Sequence, residues 1–294
     1  MKIVKLSDGL GNQLFQYAFA RALEKLTGDT VLLDRSWFPE FGENKLRLAV
    51  PRPFALGSYV LPLQYAAKKQ SDAIVYGSGL AGTIRRWLHN RPGLLREGRD
   101  DLAPDTLCHL QGDRVFRGFF QSATYPEIAR RELLGDLALP VEHLDEKNRH
   151  LAEEMASRPS VAVHIRRGDY LKEHSMQVHG ICSAEYYAEA EARLRQQTGE
   201  RLHLYLFSDD PEWVRSHYRT ENDFTIVDAN HTSQGHLDIE LMRHCRYAIT
   251  ANSTFSWWGA WLNDAPGRIV IAPRRWFADG RDEGGLCPAS WKRI

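Results

Sequence analysis

The stretch SVAVHIRRGD at 160–169 decides the fold of the second half of this 294-residue chain. Its first six residues form a mainly apolar, β-branched run, which is typical of a strand buried on both faces of a parallel sheet. The run ends on two arginines, a glycine and an aspartate. We therefore expect a central strand whose carboxyl end carries a turn rich in positive charge.

Similar apolar segments recur along the second half, and helical patterns separate them. Strand patterns lie at 203–207, 224–228, 246–250 and 268–272, and helical patterns lie at 183–197, 211–218, 237–245 and 254–263. This alternation predicts a parallel sheet covered by helices. In such sheets ligands bind beyond the carboxyl ends of the strands.

The first half opens in the same way. Residues 2–6 and 30–34 have strand patterns, and 12–27 has an apolar face at helical spacing. Residues 114–121 resemble a further strand and its exit, whereas 37–110 are less regular. The sequence thus predicts an α/β protein with two Rossmann-like lobes, 1–150 and 151–294, and a cleft between them. A polar helix at 142–158 is expected to link the lobes.

The composition excludes several classes of protein. Lys+Arg and Asp+Glu both number 38, so the chain lacks the basic excess of a general nucleic-acid binder. The chain has neither a signal-peptide pattern nor an apolar run of roughly 20 residues, so we expect a cytoplasmic protein, at most peripheral to a membrane. A basic patch at Arg85, Arg86, Arg91 and Arg96 is either a solvated face or a contact with a membrane surface.

The arginine motif His164-Ile165-Arg166-Arg167-Gly168-Asp169 carries the strongest chemical signal. An arginine fork binds phosphate oxygens in pairs, and a glycine allows a sharp turn or a close approach. The competing interpretation is a surface turn whose charges pair with one another. Its position after a buried strand favours a binding role.

Two further strand ends carry polar groups. Asp209 and Asp210 follow the strand at 203–207; one can cap the helix that begins at Pro211, which would leave the other free for a ligand. Ser253 and Thr254 precede the helix at 254–263, where free N–H groups can bind an anion, although an ordinary N-cap is the commoner explanation. Neither segment has the D-x-D pattern of metal-dependent transferases, so no metal is expected.

The loop Asp8-Gly9-Leu10-Gly11-Asn12-Gln13 joins the first strand to the first helix. It differs from G-x-G-x-x-G, and the chain contains no P-loop motif. Arginines, aspartates and a Ser/Thr-rich helix start on one lobe suit a nucleoside diphosphate. The Gly-Asn-Gln loop on the other lobe would then face a sugar.

The chain resembles the α-1,2-fucosyltransferase family, glycosyltransferase family 11, of bacterial type. The resemblance runs in order through GLGNQLFQYAFARAL (9–23), RGFFQSATY (117–125), VAVHIRRGDY (161–170), HGICSAEYYAEA (179–190), YLFSDDPEWV (205–214), DIELMRHCRYAITANSTFSWWGAWLN (238–263) and VIAPRRWF (270–277). Each segment is modest alone, but together they span most of the chain and are highly specific.

This resemblance implies a GT-B-like fold and inverting transfer of L-fucose from GDP-β-L-fucose, with no metal required. The implied acceptor is a galactosyl 2-hydroxyl of an oligosaccharide or lipid-linked glycan. It implies that Arg166 contacts the β-phosphate, and that His164 and Asp209 or Asp210 lie near the guanine. Ser253 and Thr254 would hold phosphate. Gly11, Asn12 and Gln13 would lie near the reacting sugars.

The identity of the general base stays open between Asp169, Asp8 and no strong base at all. Many family members have glycine where this chain has Asp8, so a carboxylate there is a departure from the pattern. Two other functions also remain open. One is a transferase that uses a different sugar nucleotide, and the other is a non-catalytic protein that binds a GDP-sugar or a glycan.

Overall fold

The computed structural model describes residues 1–43, 51–171, 173–281, 283 and 285–294. The chain divides into two compact units, Met1–Leu137 and Ala138–Ile294. Each unit has its own parallel sheet, so the predicted α/β, GT-B-like class with two Rossmann-like lobes is confirmed.

The first unit is built on a five-stranded sheet in the order β3-β2-β1-β5-β4. Its strands are β1 (Lys2–Lys5), β2 (Val31–Asp34), β3 (Gln64–Tyr65), β4 (Leu94–Arg96) and β5 (Arg114–Arg117). Its helices are α1 (Leu10–Thr27), α2 (Lys68–Tyr76), α3 (Gly79–Trp87), α4 (Pro104–Leu107), α5 (Thr124–Ile128) and α6 (Arg130–Asp136). All neighbouring strands are parallel.

Helix α1 supplies much of the core of this unit. Its fully buried face includes Leu14, Phe15, Ala18 and Phe19, which recur at helical spacing as predicted. The ring of Phe19 stacks on Phe120 at 3.9 Å between centroids. Because α1 begins directly after β1, this packing fixes the loop that joins the two elements.

The second unit contains a six-stranded parallel sheet in the order β11-β10-β9-β6-β7-β8. Its strands are β6 (Ser160–Ile165), β7 (His203–Ser208), β8 (Asp223–Val227), β9 (Tyr247–Ile249), β10 (Ile269–Ala272) and β11 (Lys292–Arg293). Its helices are α7 (Glu146–Ala156), α8 (Glu173–Val178), α9 (Ala184–Thr198), α10 (Pro211–His217), α11 (Gly235–His244) and α12 (Thr254–Leu262). All six residues of β6 are buried, as its apolar pattern predicts.

The boundary between the units lies earlier than the predicted division after residue 150. That division falls inside α7, which packs on α11 and belongs wholly to the second unit. Met155 and Ala152 of α7 are buried, and Asn148 exchanges hydrogen bonds with Asn230. The helix is therefore a packed part of one unit rather than a linker, which its polar composition did not reveal.

In the part of the chain that the structure describes, no helix combines the length and the apolar character needed to cross a bilayer.

Candidate functional site

The motifs of the second unit meet because their strands are neighbours. Strand β6 lies between β9 and β7, and all three are parallel, so their carboxyl ends share one edge of the sheet. From β6 the chain continues to β7 and β8 on one side, and later returns to β9 on the other side. The β6/β9 boundary is therefore a topological switch point, where ligands bind in open α/β sheets.

The arginine turn after β6 is organised by Asp209 from the end of β7. One carboxylate oxygen, Oδ1, accepts a hydrogen bond from the backbone N–H of Arg167 at 2.9 Å. The other, Oδ2, lies 3.1 Å from Nη1 of Arg166. A Cβ atom on Gly168 would come within 2.3 Å of Oδ2. A larger residue at this position would therefore displace the carboxylate from its contacts with the turn.

Asp210 has a different role beside the same turn. Its Oδ1 caps α10 by accepting from the N–H of Trp213 at 3.1 Å, and its Oδ2 lies 3.6 Å from Nε of Arg167. Both carboxylates therefore have protein partners, in contrast to the expectation that one stays free. The guanidinium of Arg167 also lies 3.7 Å over the ring of Trp213, whose ring stacks with His217. Sequence analysis missed this aromatic support, although Trp213 follows the aspartates at one helical turn.

His164 is buried at the end of β6, where its ring lies 5.5 Å from that of Phe255 in α12. Burial, assisted by the nearby charge of Arg166, lowers the pKa of His164 to about 3. The imidazole is therefore neutral at physiological pH. Its Nδ1 atom has no hydrogen-bond partner among the residues that the structure describes.

The start of α12 lies beside this turn. Ser253 is the N-cap residue, and its hydroxyl accepts from the N–H of Phe255 at 3.3 Å. The hydroxyl of Tyr170 donates to the carbonyl of Asn252 at 3.2 Å, which ties the arginine turn to the helix start. Thr254 is the first helical residue and is half-buried. An arginine turn and a helix N-terminus thus meet at the switch point, and both can donate hydrogen bonds to an anion.

A cavity of about 310 Å³ opens on the α9 and α10 side of β6. Arg166 and Arg167 line it together with Tyr187, Trp213 and Arg219. The two arginines of the motif therefore border an open volume rather than a filled surface.

Asp169 belongs to the short 3-10 helix Gly168–Leu171, and its side chain lies outside the part of the structure that is described. Its predicted role as a base accordingly stays a prediction.

In the first unit, Asp8 occupies a backbone conformation that favours glycine. Its φ angle is 66°, in the left-handed region, which explains why a glycine is compatible with this position. The Asp8 carboxylate accepts from the N–H of Gly9 at 2.7 Å and lies 3.3 Å from Nε of Arg52. Asp8 is thus held by local contacts in a strained turn.

The neighbouring residues differ in how far they are available to a ligand; they are Gly11, Asn12 and Gln13. Gly11 is buried, and the Gln13 side chain is fully buried. The Gln13 amide donates to the carbonyls of Asp8 and Pro53 and accepts from the N–H groups of Ala55 and Leu56. Gln13 therefore holds the 53–56 segment and would have to break these bonds to contact a sugar.

Asn12 is half-buried, and its Oδ1 accepts from Nε2 of Gln121 at 2.7 Å. Of the three residues predicted to lie near the sugars, Asn12 has the side chain that is least committed to the interior of the unit.

Comparison with known proteins finds relatives whose names all describe transferases of sugars. The chain is 29% identical to "O-antigen biosynthesis glycosyltransferase WbnK" of Escherichia coli, over 97% of this chain and 98% of that one. It is 28% identical to an "Alpha-1,2-colitosyltransferase" of Escherichia coli, over 99% and 98% of the two chains. "Galactoside 2-alpha-L-fucosyltransferase SEC1" of Bos taurus is 25% identical, over 55% of this chain and 46% of that one.

Among solved structures, POFUT1 in complex with GDP aligns with a TM-score of 0.47 at 14% identity, covering 92% of this chain and 97% of that one. The model of the family described as "Glycosyl transferase family 11" matches residues 115–290, which include the arginine turn, both aspartates and the start of α12. The chain therefore belongs to glycosyltransferase family 11.

Proposed function

We propose that this enzyme catalyses inverting transfer of L-fucose from GDP-β-L-fucose to the 2-hydroxyl of a galactosyl residue, giving an α-1,2-fucoside. The observation that carries the proposal is the arginine turn, held by Asp209 beside the start of α12 at the β6/β9 switch point. Two relatives have names that specify a 1,2 or 2-α linkage, which supports the same position on the acceptor.

The proposed donor site uses the arginine turn and the N-terminus of α12. When the bond between the sugar and the diphosphate breaks, negative charge grows on the departing β-phosphate. Arg166 and the N–H groups at Ser253 and Thr254 would stabilise that charge without a metal. Removing one such donor typically costs about 100- to 1000-fold in rate.

Asp209 and Asp210 contribute to this site through the arginines that they contact. Asp209 orients Arg166 and fixes the backbone at Arg167, and Asp210 lies beside the Arg167 guanidinium. We assign the guanine contact to this same edge, where the neutral His164 offers an imidazole nitrogen.

The first unit would hold the acceptor, an oligosaccharide or a lipid-linked glycan, with Asn12 near the reacting sugars. Asp8 or Asp169 would take the acceptor proton, or the proton would leave without the help of a strong base. A loose, oxocarbenium-like transition state can release this proton late, so a strong base is not required. The proposal places the reaction in the cytoplasm.

A colitosyl donor is the second candidate, because the alpha-1,2-colitosyltransferase aligns with nearly the whole chain. Competition between GDP-fucose and other sugar nucleotides separates the two. A non-catalytic binding protein is a third candidate, and detectable donor turnover would exclude it.

The deciding experiment measures GDP release from GDP-fucose, with lactose as acceptor and EDTA present. We expect release that depends on lactose and is insensitive to EDTA. If the enzyme turns over another sugar nucleotide and does not turn over GDP-fucose, the proposed donor is wrong.

Arg166→Ala tests the residue that carries the proposal. It should lower the rate about 100- to 1000-fold with the fold intact. Arg201→Ala is the matched control, because Arg201 is an exposed arginine paired with Asp223 on β8, away from the switch point. If Arg166→Ala keeps more than a tenth of the activity, a loss under about 1.4 kcal/mol, Arg166 does not have this role.

A further inference from the structure

Helix α3 of the first unit is almost entirely exposed although it carries large apolar side chains. Leu80 is 78% exposed, Trp87 is 80% exposed, and Ile84 and the adjoining Leu88 are also exposed. Gly82 is the buried residue of this helix. Protein surfaces that face water seldom carry several large apolar side chains on one short helix, so we expect this face to be covered by a partner.

The side of α3 that packs on the protein is fixed by Gly82. A Cβ atom there would come within 2.4 Å of the carbonyl oxygen of Gly77, so this side of the helix packs on the turn that joins α2 to α3. At 3.6 residues per turn, Leu80, Ile84 and Trp87 project from the side opposite Gly82. The apolar side chains therefore form one outward face, which we call the α3 face, with Leu88 at its end.

Positive charge surrounds this face. Residues 68–96 contain six lysines and arginines against a single aspartate, in a chain that has 38 basic and 38 acidic residues overall. Arg86 pairs with that aspartate, Asp72, at 3.2 Å, and its guanidinium lies over the ring of Tyr76. Arg85 and Lys69 are also exposed, and Lys68 is exposed but paired with Glu40. Apolar side chains flanked by exposed cations are the pattern of a helix that lies in an anionic lipid interface.

We propose that the α3 face docks on a membrane surface that contains anionic lipids. Leu80, Ile84 and Leu88 would enter the boundary of the acyl region, and Trp87 would lie at the headgroup level, where tryptophan is enriched. The surrounding lysines and arginines would contact lipid phosphates. The charge favours lipid over a second copy of the chain, since this patch would be repelled by its own copy.

The small size of the α3 face also favours a lipid surface over a protein partner. A stable protein interface uses roughly 20–30 residues a side, whereas the α3 face has four large apolar side chains on nine helical residues and the adjoining position. This inference goes beyond the proposed function, and it stands whichever sugar the enzyme transfers.

The test is flotation of the full chain with vesicles of phosphatidylcholine alone or mixed with phosphatidylglycerol. We expect binding to the anionic vesicles, weakened by salt because the charge contribution is screened. The double variant Ile84→Ser/Trp87→Ser should bind at least about tenfold more weakly, since two large apolar side chains no longer leave water. The variant Lys69→Gln/Arg85→Gln should lose the preference for anionic lipid.

Phe224→Ser is the matched control, because Phe224 is an exposed aromatic residue, 46% exposed, on β8 of the second unit. It should bind vesicles like the wild type. All variants should keep the wild-type melting temperature and the wild-type rate on the water-soluble acceptor lactose. A failed vesicle experiment therefore leaves the proposed function intact, and a failed donor assay leaves this inference intact.

Three results would overturn the proposal. The wild type could fail to float with anionic vesicles, or Phe224→Ser could lose as much binding as the α3 variant. Light scattering could instead show a dimer that Ile84→Ser/Trp87→Ser dissociates while no vesicle binding occurs, in which case a second copy covers the α3 face.

Discussion

The substitution Gly168→Ala tests whether one carboxylate organises the arginine turn. The added methyl group would lie 2.3 Å from Oδ2 and 3.0 Å from Cγ of Asp209. These distances are too short for real contacts, so the carboxylate must move. The φ angle of Gly168 is not in the left-handed region, so backbone strain does not add to the effect.

The expected loss of stability follows from the contacts that Asp209 makes. The N–H of Arg167 would lose a charge-assisted hydrogen bond, which contributes about 1.5–3 kcal/mol. The Arg166 pair is partly exposed and adds at most about 1 kcal/mol. We expect a net loss of about 2 kcal/mol, which lowers the melting temperature by about 4–8 °C in a unit of this size.

The assay is a double-mutant cycle with Asp209→Ala, followed by thermal or urea unfolding. Removing the carboxylate removes the two atoms that lie closest to the added methyl group, so Gly168→Ala should cost less than about 0.5 kcal/mol in that background. Donor turnover should fall at least about tenfold in Gly168→Ala, because Arg166 loses its orientation.

Gly135→Ala is the control for the chemical change alone. Gly135 lies in α6, and nothing stands within 4 Å of the methyl group that alanine would add, so this substitution should be neutral or stabilising by about 0.5–1 kcal/mol. Wild-type stability of Gly168→Ala would refute the reasoning. So would a penalty that persists after Asp209 is removed.

Three other predictions concern Asp8, Gln13 and His164. Asp8→Gly should keep the fold, and Asp8→Ala should lose about 1 kcal/mol by urea unfolding, because φ is positive there. An equal loss of activity in both variants would show that the carboxylate itself is needed for the reaction. Gln13→Ala should lower the free energy of unfolding by about 2–4 kcal/mol, because four hydrogen bonds are lost. Asn12→Ala should lower it less, and equal losses in the two variants would contradict this prediction. Folding lowers the pKa of His164 to about 3, whereas the unfolded residue gains a proton near pH 6.5. The free energy of unfolding should therefore fall by about 2 kcal/mol from pH 7 to pH 5 on account of this residue. His164→Gln should reduce this pH dependence, and an unchanged dependence in urea unfolding would contradict the prediction.

The regular elements could be predicted because their signals are local. The apolar strand at 160–165 and the amphipathic helix α1 have periodicities that the folded chain reproduces. The short strands β3, β4 and β11 were missed, because two or three residues carry no periodicity and are paired only by their neighbours in the sheet.

The candidate site was predicted in its location but not in its internal contacts. Strand order brings the three motifs to one edge, as expected from their positions after strands. Which aspartate caps α10 and which one holds the arginines depends on the register between β6 and β7, which pairs Ile165 with Ser208. Likewise, the pattern around Gln13 indicates a sugar contact, whereas the fold commits its amide to the 53–56 segment.

The sequence by itself determined the two α/β lobes, the order of the motifs along the chain and the membership of a glycosyltransferase family. These features could be predicted because burial patterns and helix starts are encoded in a few consecutive residues. Only the tertiary structure decided that the Asp209 carboxylate lies against Gly168 and that α3 turns its apolar side chains outward. The first depends on the approach of β7 to the turn after β6, and the second on the packing of Gly82 against the turn between α2 and α3.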